Sequence, residues 1–278
     1  MSAVPTPGTA TAPAAAPVLK VTQARVLASE FTKFRTLRST VWTLLVAVVL
    51  MIGISALFSA VTASQYHTFG AADKAAFNPV STSLGGITFA VVAFGVLGVL
   101  MISGEYSTGM IRSSLTAVPR RLPVLWGKLA VFAGVIFSVS LIASLISFFL
   151  GQGLLNGHHL EVSITAPGAL RSVIGAALYV TVAGLIGVAL GALLRNTAAG
   201  IATFAGIFFV IPPLTQLLPA SVSDHLVQYL PSNAGEAIWG GGRDVTHALS
   251  PWTGFALLCG YAAVLIAAAA WRLRRVDA

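Results

Sequence analysis

Six long apolar runs divide the chain, at residues 41–63, 84–103, 129–150, 172–194, 197–218 and 254–271. Each is close to the roughly 20 residues an α-helix needs to cross a hydrocarbon layer about 30 Å thick. None alternates polar and apolar positions as a membrane β-strand does, so the pattern predicts helices rather than a closed barrel. Ahead of them, residues 20–39 read as an amphipathic helix. Val26, Leu27, Phe31, Phe34 and Leu37 share one side, and Arg25, Ser29, Thr32, Lys33, Arg35 and Thr36 fill the other. Glu30 falls on the apolar side, where a carboxylate needs a partner. Lys33, one turn on, is the nearest candidate; a charged segment farther along the chain is the other. The predicted fold class is an all-α membrane protein, six transmembrane helices preceded by an interfacial amphipathic helix. Residues 1–18, dominated by Ala, Pro and Thr, are expected to form a disordered tail, 19–40 the interfacial helix, and 41–278 the membrane domain.

The interruptions between runs carry as much information as the runs. Residues 104–121, GEYSTGMIRSSLTAVPRR, place Glu105, Arg112, Arg120 and Arg121 between the second and third spans, the size of one short helix and a turn. The segment 219–252 is rich in Pro, Gly, Ser and Asn yet too apolar for a solvated loop, so short helices dipping into the outer leaflet are expected. Residues 151–171 read as a loop; their glycines miss the dinucleotide-binding spacing, and adjacent His158 and His159 read as solvated. Pro212 and Pro213 are expected to break or kink the fifth span. Ala183, Gly187 and Gly191, four residues apart, predict a close helix contact on the fourth.

Composition agrees with a membrane protein. The chain is 56% hydrophobic and 9% charged, where soluble domains carry about 25% charged residues. Its net charge of +8 would point to nucleic acid in a soluble protein. Placement decides otherwise. Lys74, Arg171 and Arg243 fall in one set of connecting segments, and the other thirteen of the sixteen Lys and Arg fall in the opposite set with the two ends of the chain. Basic residues stay in the cytoplasm, so both termini are expected on the inside of the membrane, and no nucleic acid is implied. On this reading Arg120, Arg121 and Lys128 are inside-facing anchors against membrane lipid.

No Asp, Glu, Lys, Arg or His lies within the six runs, which argues against ion-coupled carriers and intramembrane proteases. No GxxxxGK[ST] loop is present, so ATP is not expected to bind here. The lone Cys259 excludes an internal disulfide. Neither catalytic residues nor a metal site is predicted.

The 104–121 segment resembles the signature of the ABC-2 type permease family, the membrane subunits of ATP-driven exporters, in its actinobacterial branch. The resemblance is carried by Gly104-Glu105-Tyr106, Gly109, Ile111-Arg112, Leu115 and Pro119-Arg120-Arg121, with SEFTKFRTLRSTVWTLL before the first span, LLRNTAAGIA between the fourth and fifth, and YLPSNAGEAI beyond. It implies that 104–121 is a coupling helix seated on a separate ABC ATPase, with Met110, Ile111 and Leu115 giving apolar contact and Arg112 a directional charge. Glu105 and Tyr106 would stand at its foot, and Glu30 and Lys33 match acidic and basic positions of the interfacial helix. It further implies a homodimer or a heterodimer with a related permease. ATP and magnesium would sit in the partner, and a hydrophobic or amphipathic cargo would follow a path offering Phe89, Phe94, Phe204 and Phe208. Two alternatives stay open: a membrane immunity or sensing subunit that binds an ATPase without transporting, and an uncoupled channel.

Overall fold

The computed structural model describes residues 22–107, 121–240 and 248–275. The tail predicted for 1–18 lies outside them. Among the described residues there is no strand, and six helices are long and apolar enough to cross a membrane. A leading helix, Gln23–Thr36, ends where Leu37 turns extended (φ −73°, ψ 107°), and the first span, Arg38–Gln65, begins at the next residue. The second span is Ile87–Ser107, the third Arg121–Asn156, the fourth Ala169–Leu194 and the sixth Pro251–Arg275. The fifth starts as Thr197–Ala205 and continues irregularly to Leu217.

The fourth span is the hub, because its small residues admit backbone where other residues would present side chains. A Cβ on Gly187 would lie 2.3 Å from the carbonyl oxygen of Gly95, and one on Gly191 would lie 2.7 Å from that of Val99. The second span reciprocates: a Cβ on Gly98 would meet the Gly184 oxygen at 2.3 Å. The close approach predicted from small-residue spacing is therefore made, and its partner is the second span. Leu97, Phe94, Ile186 and Phe132 fill the surrounding core.

The fifth span departs from a regular helix where its prolines require it. Neither Pro212 nor Pro213 has an N–H to donate four residues back. The preceding turn, Gly206–Val210, widens to π geometry, and the Ile211 N–H reaches the Gly206 oxygen. Such a turn absorbs an interrupted hydrogen-bond ladder. Between the fourth and fifth spans the chain reverses at Arg195, whose φ of 53° is left-handed, and Asn196 caps the next helix by accepting from the Ala199 N–H at 2.9 Å.

At the opposite end of the bundle the structure corrects one boundary. The third span continues to Asn156, so 151–156 is helix and not loop. Gly151 packs on Ser83 and Ser59, and Gln152 donates to the Ser83 hydroxyl (2.7 Å) and the Pro79 carbonyl (3.2 Å) while accepting from the Val162 N–H (2.7 Å). At that same end, helices Ala220–Leu226 and Pro231–Glu236 form within the segment expected to dip. Gly235 sits on Tyr179, Ile238 is buried against Gly175, and Gly254 meets the Ala234 backbone.

Candidate functional site

The leading helix does not float beside the bundle. Val26 seats against Gly127, where a Cβ would come within 2.9 Å of its Cγ1, and Phe34 meets Phe132 edge-on at 6.4 Å. That docking turns the Glu30 face inward, so Glu30 is 3% exposed. Phe31 and Leu37, assigned by periodicity to the same apolar side, stay about half exposed, at 50% and 49%.

Docking brings four charges together. Lys128, seven residues into the third-span helix, donates to Glu30 Oε2 and to Glu105 Oε1, each at 2.6 Å. Lys33 donates to Glu30 Oε1 at 2.8 Å and reaches Glu105 Oε1 at 3.5 Å. Glu30, Glu105 and Lys128 are buried, while the Lys33 side chain is 34% exposed and forms the outer edge. Burial pushes the Glu30 carboxyl up, but the charge and hydrogen bond of Lys128, joined by those of Lys33, outweigh it and hold Glu30 below the usual carboxylate value. Burial pulls Lys33 down; the hydrogen bond to Glu30 and the nearby Glu105 charge outweigh that and hold it above the ordinary amine value.

Both readings of Glu30 are therefore realised. It pairs with Lys33 on its own helix and is tied, through Lys128, to Glu105 at the start of the charged segment. The reading of Lys128 as an inside-facing anchor is corrected: at 3% exposed it is the central cation of the cluster. Its signal was present in the sequence, because it is the sole charged residue among 122–150 and so needs a partner as Glu30 does. The partners stand 98 and 23 residues away, a separation that no local periodicity reveals.

A second set of contacts secures the same end. The Arg195 guanidinium lies over the Tyr106 ring, 5.1 Å from its centroid, and the Thr197 hydroxyl donates to that of Ser103 at 2.8 Å. The hairpin between the fourth and fifth spans thus grips the last turn of the second. Arg195, Ser103 and Thr197 were not among the expected site residues. The charged segment is held near both ends: Glu105 and Tyr106 lie at its start, Lys128 follows it, and all three are in contact. Gly109, Met110, Ile111, Arg112 and Leu115 lie outside the described residues.

The four phenylalanines separate. Phe94, Phe204 and Phe208 are 0%, 1% and 3% exposed, with Phe204 packed over Gly95 and stacked on Phe208 at 4.6 Å. Phe89 alone of the four faces outward, 46% exposed. In this conformation the first three belong to the interior of one chain. Among the described residues no group of three metal-ligating side chains comes together.

Among the described residues the charged cluster contains two acids and two bases, with no nucleophile beside a base. Its chemistry is to fix three helices in one register. No curated protein matches the chain. A family model described as ABC-2 family transporter protein matches residues 26–216, a stretch that runs from the start of the docked leading helix, through the bracketed segment, to the proline-broken fifth span. This multi-pass membrane protein belongs to the ABC-2 family of transporters.

Proposed function

We propose that the chain is the permease half of an ATP-driven exporter, receiving force from a separate ABC ATPase through 104–121. The observation that carries this reading is the bracket: Glu105 at the start of the segment and Lys128 beyond its end are joined at 2.6 Å, and Lys128 is tied to the leading helix through Glu30. A segment pushed by a partner transmits that push only if its ends are stiffly held, and here they are held by buried charge pairs and not by solvated ones. In this reading Met110, Ile111 and Leu115 seat in the ATPase, Arg112 orients them, and ATP with magnesium is bound by the ATPase alone. Two permease chains, identical or related, alternate between inward- and outward-open forms in the bacterial plasma membrane, with both termini in the cytoplasm. Nucleotide supplies the differential stability of the two forms. The cargo class is hydrophobic or amphipathic, with Phe89 an exposed aromatic contact and Phe94, Phe204 and Phe208 reached only in the other form.

The test uses the chain co-purified with its ATPase and reconstituted into liposomes. Glu105→Ala and Arg112→Ala are each expected to lower amphiphile-stimulated ATP hydrolysis at least about tenfold, the loss of roughly 1.4 kcal/mol of coupling. Stimulation unchanged in both variants would overturn the coupling role. ATP hydrolysis without movement of a fluorescent amphiphile would instead favour a sensing subunit.

A further inference from the structure

Residues 195–197 do three things at once. The Arg195 N–H closes the fourth span on the Gly191 carbonyl at 3.0 Å, Asn196 caps the fifth, and Thr197 meets Ser103 on the second. The chain reverses here through a left-handed residue, a conformation that suits glycine or asparagine and costs most other side chains. Arginine occupies it nonetheless. Its side chain makes a contact that glycine cannot, with the guanidinium over the Tyr106 ring on the last turn of the second span. Tyr106 stands at the start of the 104–121 segment, next to Glu105.

The fifth span is built in two pieces. Thr197–Ala205 is regular helix seated in notches of its neighbours: Gly200 lies against Val99 and Gly191, and Phe204 covers Gly95. From Gly206 onward the hydrogen-bond ladder is widened and then interrupted at Pro212 and Pro213, so bending is concentrated there. The notches hold the first piece sideways. The Arg195–Tyr106 contact and the Thr197–Ser103 hydrogen bond pin its start to the foot of the charged segment. We infer that Arg195 is a positioning residue, which makes the first half of the fifth span travel with the second span while the turn at Gly206–Val210 yields. A push on 104–121 is thereby shared between two spans and not delivered to one. That last step rests on the coupling role proposed above; the tie between the spans does not.

Arg195→Gly separates the side chain from the turn. Glycine suits a φ of 53°, so the variant is expected to melt within about 2 °C of the wild type. Two readouts follow the tie itself. In the full chain carrying Cys259→Ala, nitroxide labels go on exposed Ala202 of the fifth span and exposed Val264 of the sixth. Pulsed electron resonance in detergent then reads their separation. The background chain is expected to give one narrow distance, and Arg195→Gly a broadened or split distribution. Tyr106→Phe, which keeps the ring, is expected to keep the narrow distance, and Tyr106→Leu to lose it. With the ATPase in liposomes, Arg195→Gly is expected to lower the ratio of amphiphile-stimulated to unstimulated hydrolysis at least about threefold, roughly the worth of one cation–π contact. A narrow distance kept in folded Arg195→Gly overturns the proposal, as does stimulation kept in Arg195→Gly but lost in Glu105→Ala. A broadened distance with stimulation kept in both variants leaves the tie standing and removes the coupling role instead. If Arg195→Gly does not fold, Tyr106→Leu, which leaves the turn untouched, decides by distance alone.

Discussion

Replacing Lys128 with methionine tests the charge cluster most directly. The side chains are similar in length, so the change removes the cation while largely keeping volume. Lys128 Nζ has two carboxylate partners at 2.6 Å and is 3% exposed, so Lys128→Met leaves Glu30 and Glu105 buried with Lys33 as their remaining cation. Lys33 is 2.8 Å from one and 3.5 Å from the other, too far to replace two short contacts. Removing one member of a buried ion pair costs about 3–5 kcal/mol, chiefly because the other charge is stranded. Domains of 150–250 residues lose about 2–4 °C of melting temperature per kcal/mol, so a drop on the order of 10 °C is expected in detergent, read by tryptophan fluorescence. Adding Glu105→Gln removes half of the stranded charge, so Lys128→Met/Glu105→Gln should melt above Lys128→Met alone. The deficit of Lys128→Met should also shrink as pH falls and the Glu30 carboxyl takes up a proton. A variant melting within about 2 °C of wild type, less than 1 kcal/mol on that scale, would refute the reasoning. So would strict additivity of the two substitutions, because residues in one ion network must couple.

Gly187→Leu drives a side chain toward the Gly95 carbonyl, where even a Cβ would stand at 2.3 Å, and should abolish recovery of folded protein on size exclusion. Gly134→Ala, whose Cβ meets nothing within 4 Å, should raise the melting temperature slightly, by the roughly 0.5–1 kcal/mol separating Ala from Gly in a helix. Gln152→Leu unpairs the Val162 N–H and removes the donor to the Ser83 hydroxyl, and should cost about 1–3 kcal/mol in a thermal melt. Stability should be flat across neutral pH and fall at both ends. Glu30, held below its ordinary 4.5, contributes above that value and is lost as pH drops through its lowered value. Lys33, held above its ordinary 10.5, contributes below that value and is lost as pH climbs through its raised one. A Glu30→Gln variant should lose the acid limb of that profile.

The membrane spans were legible because crossing hydrocarbon demands a length and an apolarity that few other elements share. The contact between the second and fourth spans was half legible: small-residue spacing announced a close approach, and Gly95 and Gly98 became partners only in three dimensions. The third span overran its expected end because Gln152 resembles a loop residue when its distant partners, Pro79 and Ser83, are out of view. Lys128 was obscured differently. Next to Arg120 and Arg121 it resembles one more basic residue at a membrane surface, and its isolation in an otherwise uncharged run asks for a partner without naming one. Glu30 showed its need for a partner more plainly, because a carboxylate on the apolar side of a helix contradicts its neighbours.

The glycine seam between the second and fourth spans has a mechanical consequence. Helices whose backbones approach this closely at Gly95, Gly98, Gly187 and Gly191 slide past each other less readily, since few side chains stand there to repack. They form a single beam, and the fourth helix, 26 residues at about 1.5 Å each, makes it about 39 Å long. At one tip are the Arg195–Tyr106 stack and the charge cluster; at the other, Tyr179 and Gly175 bear on the 231–240 stretch. A tilt imposed at one membrane face is therefore delivered at the other as displacement, with little lost to bending on the way.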